Sequence, residues 1–463
     1  MNLKKTKMIR MGALVTAFTL VSIGAATTAS AKPSGFPVVD KQKATTLTIH
    51  KHVGDEKFGK YVGEQRIEKD PVVGVEFTVT PVLCELDLAT PDAWKTISKA
   101  TVESASSCAN RESKVVKTAE DGSAKIDLPQ GIYKVEETKS GNNLVSTKSA
   151  PFLVTLPMPK GDNEWVYDVH AYPKNKLTEP GVPTKTASEP TKFVPGAEIT
   201  WTVKASIPVL QLPYESIVIT DQVPAGLTFK EVTSVKIGNE TLSAGTDKAD
   251  YSVANGVITL TPAGLEKVNS AMAKASESMP VEVNLVTTVG MDISTTGATT
   301  NKVTLTLNGK ESKPGEGTTV WGNLIVNKVN EKKELLDDAV FSIYAGKCEA
   351  VTSGSTPVVE NLTTKGGVIT QKLYVGKNES DSKDYCLKET AAPAGYVLDP
   401  VGRTVTVKAS KDATELIEFE NVKVEGPDLP LTGAQGTAIM VVTGLLLLTA
   451  GAGTVYVARR RNA

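Results

Sequence analysis

The chain has 463 residues, and its 51 basic and 52 acidic side chains leave a net charge of −1 at neutral pH. A charge so close to zero does not favour nucleic acid or an acidic lipid surface as a partner. The sequence contains three histidines and has no phosphate-binding loop, hydrolase nucleophile motif or metal-spaced cluster. These features give little support to an enzyme, and we expect no cofactor and no metal.

The N-terminus has the pattern of a secretory signal. A basic stretch at 4–10 precedes a mostly apolar stretch at 11–25, and Ala29-Ser30-Ala31 supplies small residues for cleavage. We predict a signal peptide at 1–31, a mature chain that begins near Lys32, and export from the cell.

Four cysteines in an exported chain are an even number and predict disulfides. They fall as a close pair in the first third of the chain and a wider pair in the last third. We predict Cys84–Cys108 and Cys348–Cys386, because each pair then lies inside one domain. No Cys-x-x-Cys motif or histidine cluster accompanies them, so free thiols and metal ligation are the less favoured alternatives.

The body of the chain reads as β-structure. Short runs rich in Val, Ile, Thr and Tyr alternate with clusters of Gly, Pro, Asn and Asp, a pattern typical of strands and turns. One helix is predicted at about 263–273, where Leu265, Val268 and Met272 fall at helical spacing. Many short strands with little helix favour immunoglobulin-like β-sandwiches, so the predicted fold class is all-β.

Pro- and Gly-rich stretches divide the chain into domains. The stretches at 176–183, 308–319 and 425–428 have the composition of linkers. They predict three tandem domains of common size. The predicted boundaries are 32–178, 179–321 and 322–424, followed by a C-terminal region at 425–463.

The first and third domains look like a degenerate internal repeat. Each opens on a strand with one lysine, has a late Tyr-x-(Val/Leu)-x-Glu-Thr motif, and closes on a strand that ends in asparagine. Because side chains alternate faces along a strand, these three polar residues fall on faces that should be buried. The residues are Lys51, Glu137 and Asn175 in the first domain and Lys328, Glu389 and Asn421 in the third.

A buried lysine, carboxyl and asparagine together predict a covalent bond. Burying either charge alone is very unfavourable, and burying both as an ion pair often gains nothing. In an apolar site the pKa of the lysine falls and that of the carboxyl rises, which gives a nucleophilic amine and a proton donor. The amine then attacks the asparagine amide carbon, and ammonia leaves. For Lys51 the alternative is a lysine that reaches solvent at a sheet edge and pairs with Glu137 non-covalently.

The segment Tyr385–Tyr396, YCLKETAAPAGY, is similar to the E-box of the Cna-B-type domains of Gram-positive pilins. This resemblance implies an isopeptide bond between Lys328 and Asn421, with Glu389 as the promoting carboxyl. The first domain keeps only the first half of the motif and lacks the Ala-Pro-x-Gly-Tyr tail.

The middle domain has no E-box and resembles the Cna-A-like middle domains of pilins, which use Lys, Asp and Asn. Strand alternation places Asp221 and Asn301 on apolar faces. The resemblance implies Lys185, just after the linker, as the bonding lysine. Lys204 is the alternative, on the face opposite the apolar one. Asp221 has a second interpretation, as a residue that ends a strand before the turn at 224–226.

Residues 165–174, WVYDVHAYPK, are similar to the pilin motif Trp-x-x-x-Val-x-Val-Tyr-Pro-Lys, with Ala171 in place of one Val. In pilins this lysine is the nucleophile that joins subunits, which implies the same role for Lys174. Strand alternation directs Lys174 outward, because its neighbour Asn175 points inward.

The C-terminal region has three parts in order. A pentapeptide comes first, then an apolar stretch at 434–458 that is long enough to cross a bilayer, then arginines at 459–461. The pentapeptide consists of Leu429, Pro430, Leu431, Thr432 and Gly433. This order resembles the cell-wall sorting signal of Gram-positive surface proteins, which implies that a sortase cuts after Thr432. The alternative is an ordinary tail anchor.

Together these resemblances imply the structural shaft subunit of a cell-wall-anchored pilus, similar to the Spa-type backbone pilins of corynebacteria. A sortase would join Thr432 of one subunit to Lys174 of the next. The implied partners are further copies of this chain, pilus-specific and wall-anchoring sortases, tip and base pilins, peptidoglycan and a host-cell surface. Single-turnover isopeptide formation is the one reaction expected of the chain itself. The alternatives are a monomeric sortase-anchored adhesin with Cna-type stalk domains and a minor base pilin.

Overall fold

The computed structural model describes residues 35–54, 68–161, 163–245, 249–409 and 415–426. The predicted signal peptide, the pentapeptide with Thr432, and the apolar stretch behind it lie outside the described residues. Within the described ranges, no helix is both long and apolar enough to cross a membrane. Strands make up most of the secondary structure, which confirms the all-β prediction.

The N-terminal part forms two layers of short strands. Its elements are β1 (Thr45–His50), β2 (His52–Val53), β3 (Glu76–Val82), α1 (Pro91–Ile97), β4 (Lys114–Lys117), β5 (Ser123–Leu128), β6 (Gly131–Lys139), β7 (Val145–Thr147), β8 (Phe152–Leu156), β9 (Met158–Lys160), β10 (Glu164–Val166), β11 (Asp168–Ala171) and β12 (Lys174–Leu177). One layer has the order β4-β3-β6-β8, and the other contains the sheets β11-β1-β5 and β2-β12-β7. Apolar side chains such as Leu47, Ile49, Phe77 and Val135 pack between them.

Parallel pairing closes this first sandwich. Strand β11 pairs with β1, and β12 pairs with β2, both in parallel. The end of the domain therefore lies directly beside its beginning, which brings the closing asparagine next to the opening lysine.

The middle part is a larger sandwich. Its elements are β13 (Thr184–Ala187), β14 (Glu198–Ile207), β15 (Ile217–Gln222), β16 (Leu227–Ile237), β17 (Glu240–Leu242), β18 (Tyr251–Ala254), β19 (Val257–Leu260), α2 (Pro262–Met272), β20 (Met279–Val289), β21 (Ala298–Leu307) and β22 (Lys310–Glu311). One sheet has the order β13-β14-β20-β16-β17. Helix α2 confirms the helix predicted at 263–273, and the Thr261 side chain caps its N-terminus by accepting from Gly264 N.

The C-terminal part repeats the plan of the first. Its elements are β23 (Gly315–Val329), β24 (Val340–Ala345), β25 (Val359–Thr363), β26 (Val368–Gly376), β27 (Ser382–Ala391), β28 (Arg403–Lys408) and β29 (Glu415–Glu420). One sheet has the order β25-β24-β27-β28. On the other side, β29 pairs in parallel with β23, as the closing strands do in the first sandwich.

The prediction of a linker at 308–319 was wrong. Asn308 and Gly309 form a tight turn with φ values of 47° and 79°, and β23 then begins at Gly315 and runs without interruption to Val329. Strand β23 pairs with β21 of the middle sandwich and with β26 of the third, so one sheet continues across the predicted boundary at 321. Glycine here permits close packing, because a Cβ on Gly317 would lie only 2.8 Å from the Lys185 carbonyl oxygen on β13.

Neighbouring sandwiches also contact one another through side chains. Between the second and third, the Tyr374 ring on β26 lies 5.9 Å from the Phe193 ring of the middle part. Between the first and second, Gln211 N donates to Val145 O at 3.1 Å, and Lys148 N donates to Gln211 Oε1 at 2.7 Å. The second contact fixes the chain just before residue 149, which belongs to the first site.

Candidate cross-linking sites

The first site lies where the opening strand meets the closing strand. Lys51 is the single residue between β1 and β2, Glu137 lies on β6, and Asn175 lies on β12. Their exposed fractions are 0%, 1% and 0%. Lys51 Nζ donates to Glu137 Oε2 at 2.8 Å, and Asn175 Nδ2 donates to Glu137 Oε1 at 2.6 Å. One carboxyl therefore holds both groups that are predicted to react.

The burial of Lys51 excludes a lysine that reaches solvent at a sheet edge. Its Nζ lies 5.4 Å from the centroid of the Phe77 ring, inside the apolar layer. The sequence prediction that this lysine faces inward is therefore confirmed.

Ser149 is a fourth member of the first site, and sequence analysis missed it. Its hydroxyl accepts from Lys51 Nζ at 2.9 Å and donates to Glu137 Oε2 at 2.9 Å. Its backbone N–H donates to Asn175 Oδ1 at 2.9 Å. It lies between β7 and β8, where no strand alternation or motif distinguishes it from other serines.

The second site joins three strands of the middle sandwich. Lys185 lies on β13, Asp221 on β15 and Asn301 on β21, and all three are buried. Lys185 Nζ donates to Asp221 Oδ1. Asn301 pairs with Gly317 on β23, and the backbone of Lys185 packs against that same glycine. The missing side chain at 317 thus lets β13 approach the strand pair that carries the asparagine.

Hydrogen bonding at the second site is incomplete. Within the described part of the chain, Asp221 Oδ2 and both polar atoms of the Asn301 amide have no hydrogen bond of standard geometry, although the Asn301 side chain lies close enough to Asp221 to lower the pKa of that carboxyl slightly against the effect of burial. Unpaired buried polar atoms are costly, so a reaction that consumes the amide would remove part of that cost. The alternative lysine, Lys204, is largely exposed and lies 3.8 Å from Glu282, which excludes it from this site.

At the second site, burial shifts the pKa values of Lys185 and Asp221 in the directions that favour their neutral forms. It lowers the pKa of Lys185 to about 8, although the neighbouring Asp221 carboxylate opposes this shift. It also raises the pKa of Asp221, opposed by Lys185. Both directions favour the neutral amine and the protonated carboxyl that the predicted chemistry needs.

Replacing Asn301 with Ala blocks the predicted bond and should make the lowered pKa of Lys185 measurable. Between about pH 8 and 10.5 the unfolded chain binds a proton on Lys185 that the folded chain does not bind. Raising the pH through this window should therefore increase the free energy of unfolding, by about 3 kcal/mol at most. Urea unfolding at a series of pH values measures the change.

The matched control is the double variant Asn301→Ala/Lys185→Met. It lacks the titrating amine and should show no increase across the same window. Parallel pH curves for the single and double variants would contradict the prediction.

The third site contains the same three residue types as the first, but different groups surround them. Lys328 lies on β23, Glu389 on β27 and Asn421 just after β29, and all are buried. Lys328 Nζ lies 3.6 Å from Glu389 Oε1 and donates to the Phe419 carbonyl oxygen at 2.8 Å. Asn421 Nδ2 donates to Glu389 Oε2 at 2.8 Å. Burial lowers the pKa of Lys328, and Glu389 opposes this shift.

The long tail of the E-box has a structural role at the third site. The residues directly after it pack against the site. Val397 O accepts from Asn421 Nδ2 at 2.9 Å, and Asp399 N donates to Glu389 Oε2 at 3.0 Å. These two backbone contacts hold the carboxyl and the amide side by side. The first domain lacks the tail, and Ser149 contacts the corresponding groups there.

Lys174 begins β12, next to the buried Asn175 and opposite His52 in the parallel register. It is half-buried, because its aliphatic stem packs beside Gly54, where an added Cβ would lie 3.2 Å from Lys174 Cδ. Among the described residues, no hydrogen bond or ion pair involves its Nζ. The prediction that Lys174 faces away from the core is consistent with this environment.

Both predicted disulfides are present in the structure. Cys84 and Cys108 have a Cα–Cα distance of 5.8 Å, and Cys348 and Cys386 one of 4.7 Å. Cys386 lies inside the E-box strand β27, so the second disulfide ties the strand of Glu389 to the helical turn at Cys348–Ala350. In the described part of the chain, no group of three metal-ligating side chains comes together.

Three family models match the sequence. Residues 42–176 match the N-terminal domain D1 of Gram-positive pilin subunits, and residues 322–423 match a prealbumin-like fold domain. Residues 421–463 match the LPXTG cell-wall anchor motif. The sandwich fold and the anchor motif together define a structural protein of the Gram-positive cell surface.

The chain belongs to the family of Gram-positive fimbrial subunits, the pilins. It is 30% identical to the fimbrial subunit type 2 of Actinomyces naeslundii over 98% of this chain and 96% of the relative. It is 29% identical to the fimbrial subunit type 1 of Actinomyces viscosus over 94% of each. Among solved structures, the major pilin SpaD from Corynebacterium diphtheriae is 27% identical, with a TM-score of 0.43 over 84% of this chain and 99% of that chain. The protein is a structural pilus subunit attached to the cell wall.

Proposed function

We propose that this pilin is the shaft subunit of its fibre, polymerised through Thr432 and Lys174 and strengthened by three internal isopeptide bonds. The observation that carries the proposal is the recurrence of one buried Lys–carboxyl–Asn set in each of the three sandwiches. Three such sets are hard to explain as ordinary core packing, because each places a lysine and a carboxyl where apolar side chains would be more stable.

Each internal bond forms without any external reagent. The lysine ammonium gives one proton to the carboxylate, and the neutral amine attacks the asparagine amide carbon. The tetrahedral intermediate then expels the amide nitrogen, which takes the proton from the carboxyl, while the bonding nitrogen returns one proton to it. The products are one Lys–Asn amide, one ammonia and a protonated carboxyl, which balances all atoms and charges.

Polymerisation uses a sortase and two positions of the pilin. The sortase cysteine attacks the carbonyl carbon of Thr432, releases the chain from Gly433 onward and holds Thr432 as a thioester. The amine of Lys174 from another subunit then attacks this thioester. Because each subunit offers one electrophile and one nucleophile at different places, the linkage is head-to-tail and produces an open fibre.

Peptide mapping of fibres released from the cell wall tests this function. We expect a branched peptide that joins Thr432 to Lys174, together with internally linked peptides at Lys51–Asn175, Lys185–Asn301 and Lys328–Asn421. Each internal link should reduce the mass of its peptide pair by one ammonia. If Thr432 were found joined only to peptidoglycan, the chain would be a monomeric wall-anchored adhesin and not a shaft subunit.

A further inference from the structure

We propose that Ser149 is a catalytic residue for the bond between Lys51 and Asn175. In this role its backbone N–H stabilises the oxyanion on the asparagine, and its hydroxyl passes a proton from the lysine to Glu137. The inference rests on the function proposed above and assigns a reacting group to a residue outside every motif in the sequence.

The backbone N–H of Ser149 is aimed at the atom where charge develops. It donates to Asn175 Oδ1 at 2.9 Å, while the amide nitrogen of Asn175 donates to Glu137 Oε1 at 2.6 Å. These two contacts fix the orientation of the amide, since its oxygen faces a donor and its nitrogen an acceptor. When the Lys51 amine attacks, negative charge accumulates on Oδ1. A fixed donor in a buried site stabilises that charge strongly.

The hydroxyl of Ser149 bridges the nucleophile and the carboxylate. It accepts from Lys51 Nζ at 2.9 Å and donates to Glu137 Oε2 at 2.9 Å. A proton can therefore leave Nζ for the serine oxygen while the serine proton moves to Glu137, and the hydroxyl is unchanged afterwards. Lys51 also contacts Glu137 directly at 2.8 Å, so loss of the hydroxyl should slow the reaction without abolishing it.

The position of Ser149 is fixed by a hydrogen bond of its neighbour and by its own burial. The preceding residue, Lys148, donates its N–H to Gln211 Oε1 in the next sandwich, and Ser149 itself is only 1% exposed. The backbone N–H of Ser149 donates to the Asn175 side chain and not to the backbone of a neighbouring strand. The third site offers a contrast, because Asn421 Oδ1 has no hydrogen-bond partner in the described part of the chain.

Kinetics of cross-linking in the full mature chain test the proposal. The chain is made by cell-free synthesis, samples are quenched in acid at intervals, and the Lys51–Asn175 and Lys328–Asn421 peptides are quantified by mass spectrometry. We expect Ser149→Ala to slow the first bond about tenfold, and Ser149→Thr, which keeps both groups, to restore most of the rate. Ser149→Pro, which also removes the N–H, should slow it by about 10²–10³-fold more than Ser149→Ala does.

The internal standard is the bond at the third site, which should form at the wild-type rate in every variant. The matched control is Ser146→Ala, which loses a part-exposed hydroxyl that donates to Lys176 O. Formation of the Cys84–Cys108 disulfide reports that the first sandwich has folded. A wild-type rate in Ser149→Ala would overturn the catalytic role of the hydroxyl. A rate in Ser149→Pro no lower than that of Ser149→Ala would overturn the catalytic role of the N–H. Absence of the Lys51–Asn175 peptide from the wild-type chain would instead refute the proposed bond itself.

Discussion

Replacing Lys174 with Ala is expected to abolish the ladder of covalent multimers that can be extracted from the cell wall. The thioester at Thr432 needs an amine that is accessible and held in a fixed place. Lys174 is positioned by β12, and its stem packs beside Gly54. The substitution removes no hydrogen bond or ion pair among the described residues, so the subunit should still fold. Gel separation of wall extracts, with antibody detection, measures the loss.

The matched control is Lys176→Ala, which removes an exposed lysine two positions further along the same strand. Its ladder should equal that of the wild type, and monomer attached to the wall should persist in both variants. A ladder that survives in Lys174→Ala would show that a different lysine joins the subunits.

Replacing Glu389 with Ala is expected to prevent the bond in the third sandwich and to destabilise that sandwich strongly. The intact mass should then exceed the value expected from the substitution alone by one ammonia. Without Glu389, the fully buried Lys328 loses its carboxylate at 3.6 Å. An uncompensated buried charge costs about 3–5 kcal/mol, in addition to the loss of the cross-link. Mass spectrometry and thermal unfolding measure the two effects separately.

Glu418→Ala is the control for this change. Glu418 is about half exposed and forms an ion pair with Lys333 at 3.2 Å. Such surface pairs contribute about 0–1 kcal/mol, so stability should change little and the mass should show the bond intact. If Glu389→Ala still lost the ammonia, another group would have to promote the bond.

Strand alternation predicted most of the candidate sites from the sequence. It placed Lys51, Glu137 and Asn175 on inward faces without any knowledge of the partner strands, and all three are buried. The reason is physical, since a strand has only two faces and an apolar neighbour two positions away identifies the inner one. The same rule rejected Lys204, which lies exposed on β14.

Features that depend on contacts distant in the chain could not be predicted in this way. Ser149 lies outside the strands, and its role depends on which loop packs over the amide. The continuity of β23 was missed because its glycines look like a break, whereas they allow β13 to pack closely. Helix α1 was also missed, although Thr90 and Pro91 form a normal helix start, because the helix spans only seven residues.

The shared strand β23 decides which parts of the subunit a pulled fibre would stretch. With the proposed bonds in place, tension that enters at Lys174 follows the backbone to Lys185 and passes through the isopeptide bond to Asn301. It then follows the backbone of β21 and β23 to Lys328 and passes through the next isopeptide bond to Asn421. The first sandwich, residues 186–300 and residues 329–420 then carry no load. The stretched segment between Asn301 and Lys328 is the hairpin whose strands pair in register from Ala298–Val320 to Val303–Gly315. The extensibility of the whole fibre would therefore be set by this hairpin and by the short connections on either side of it.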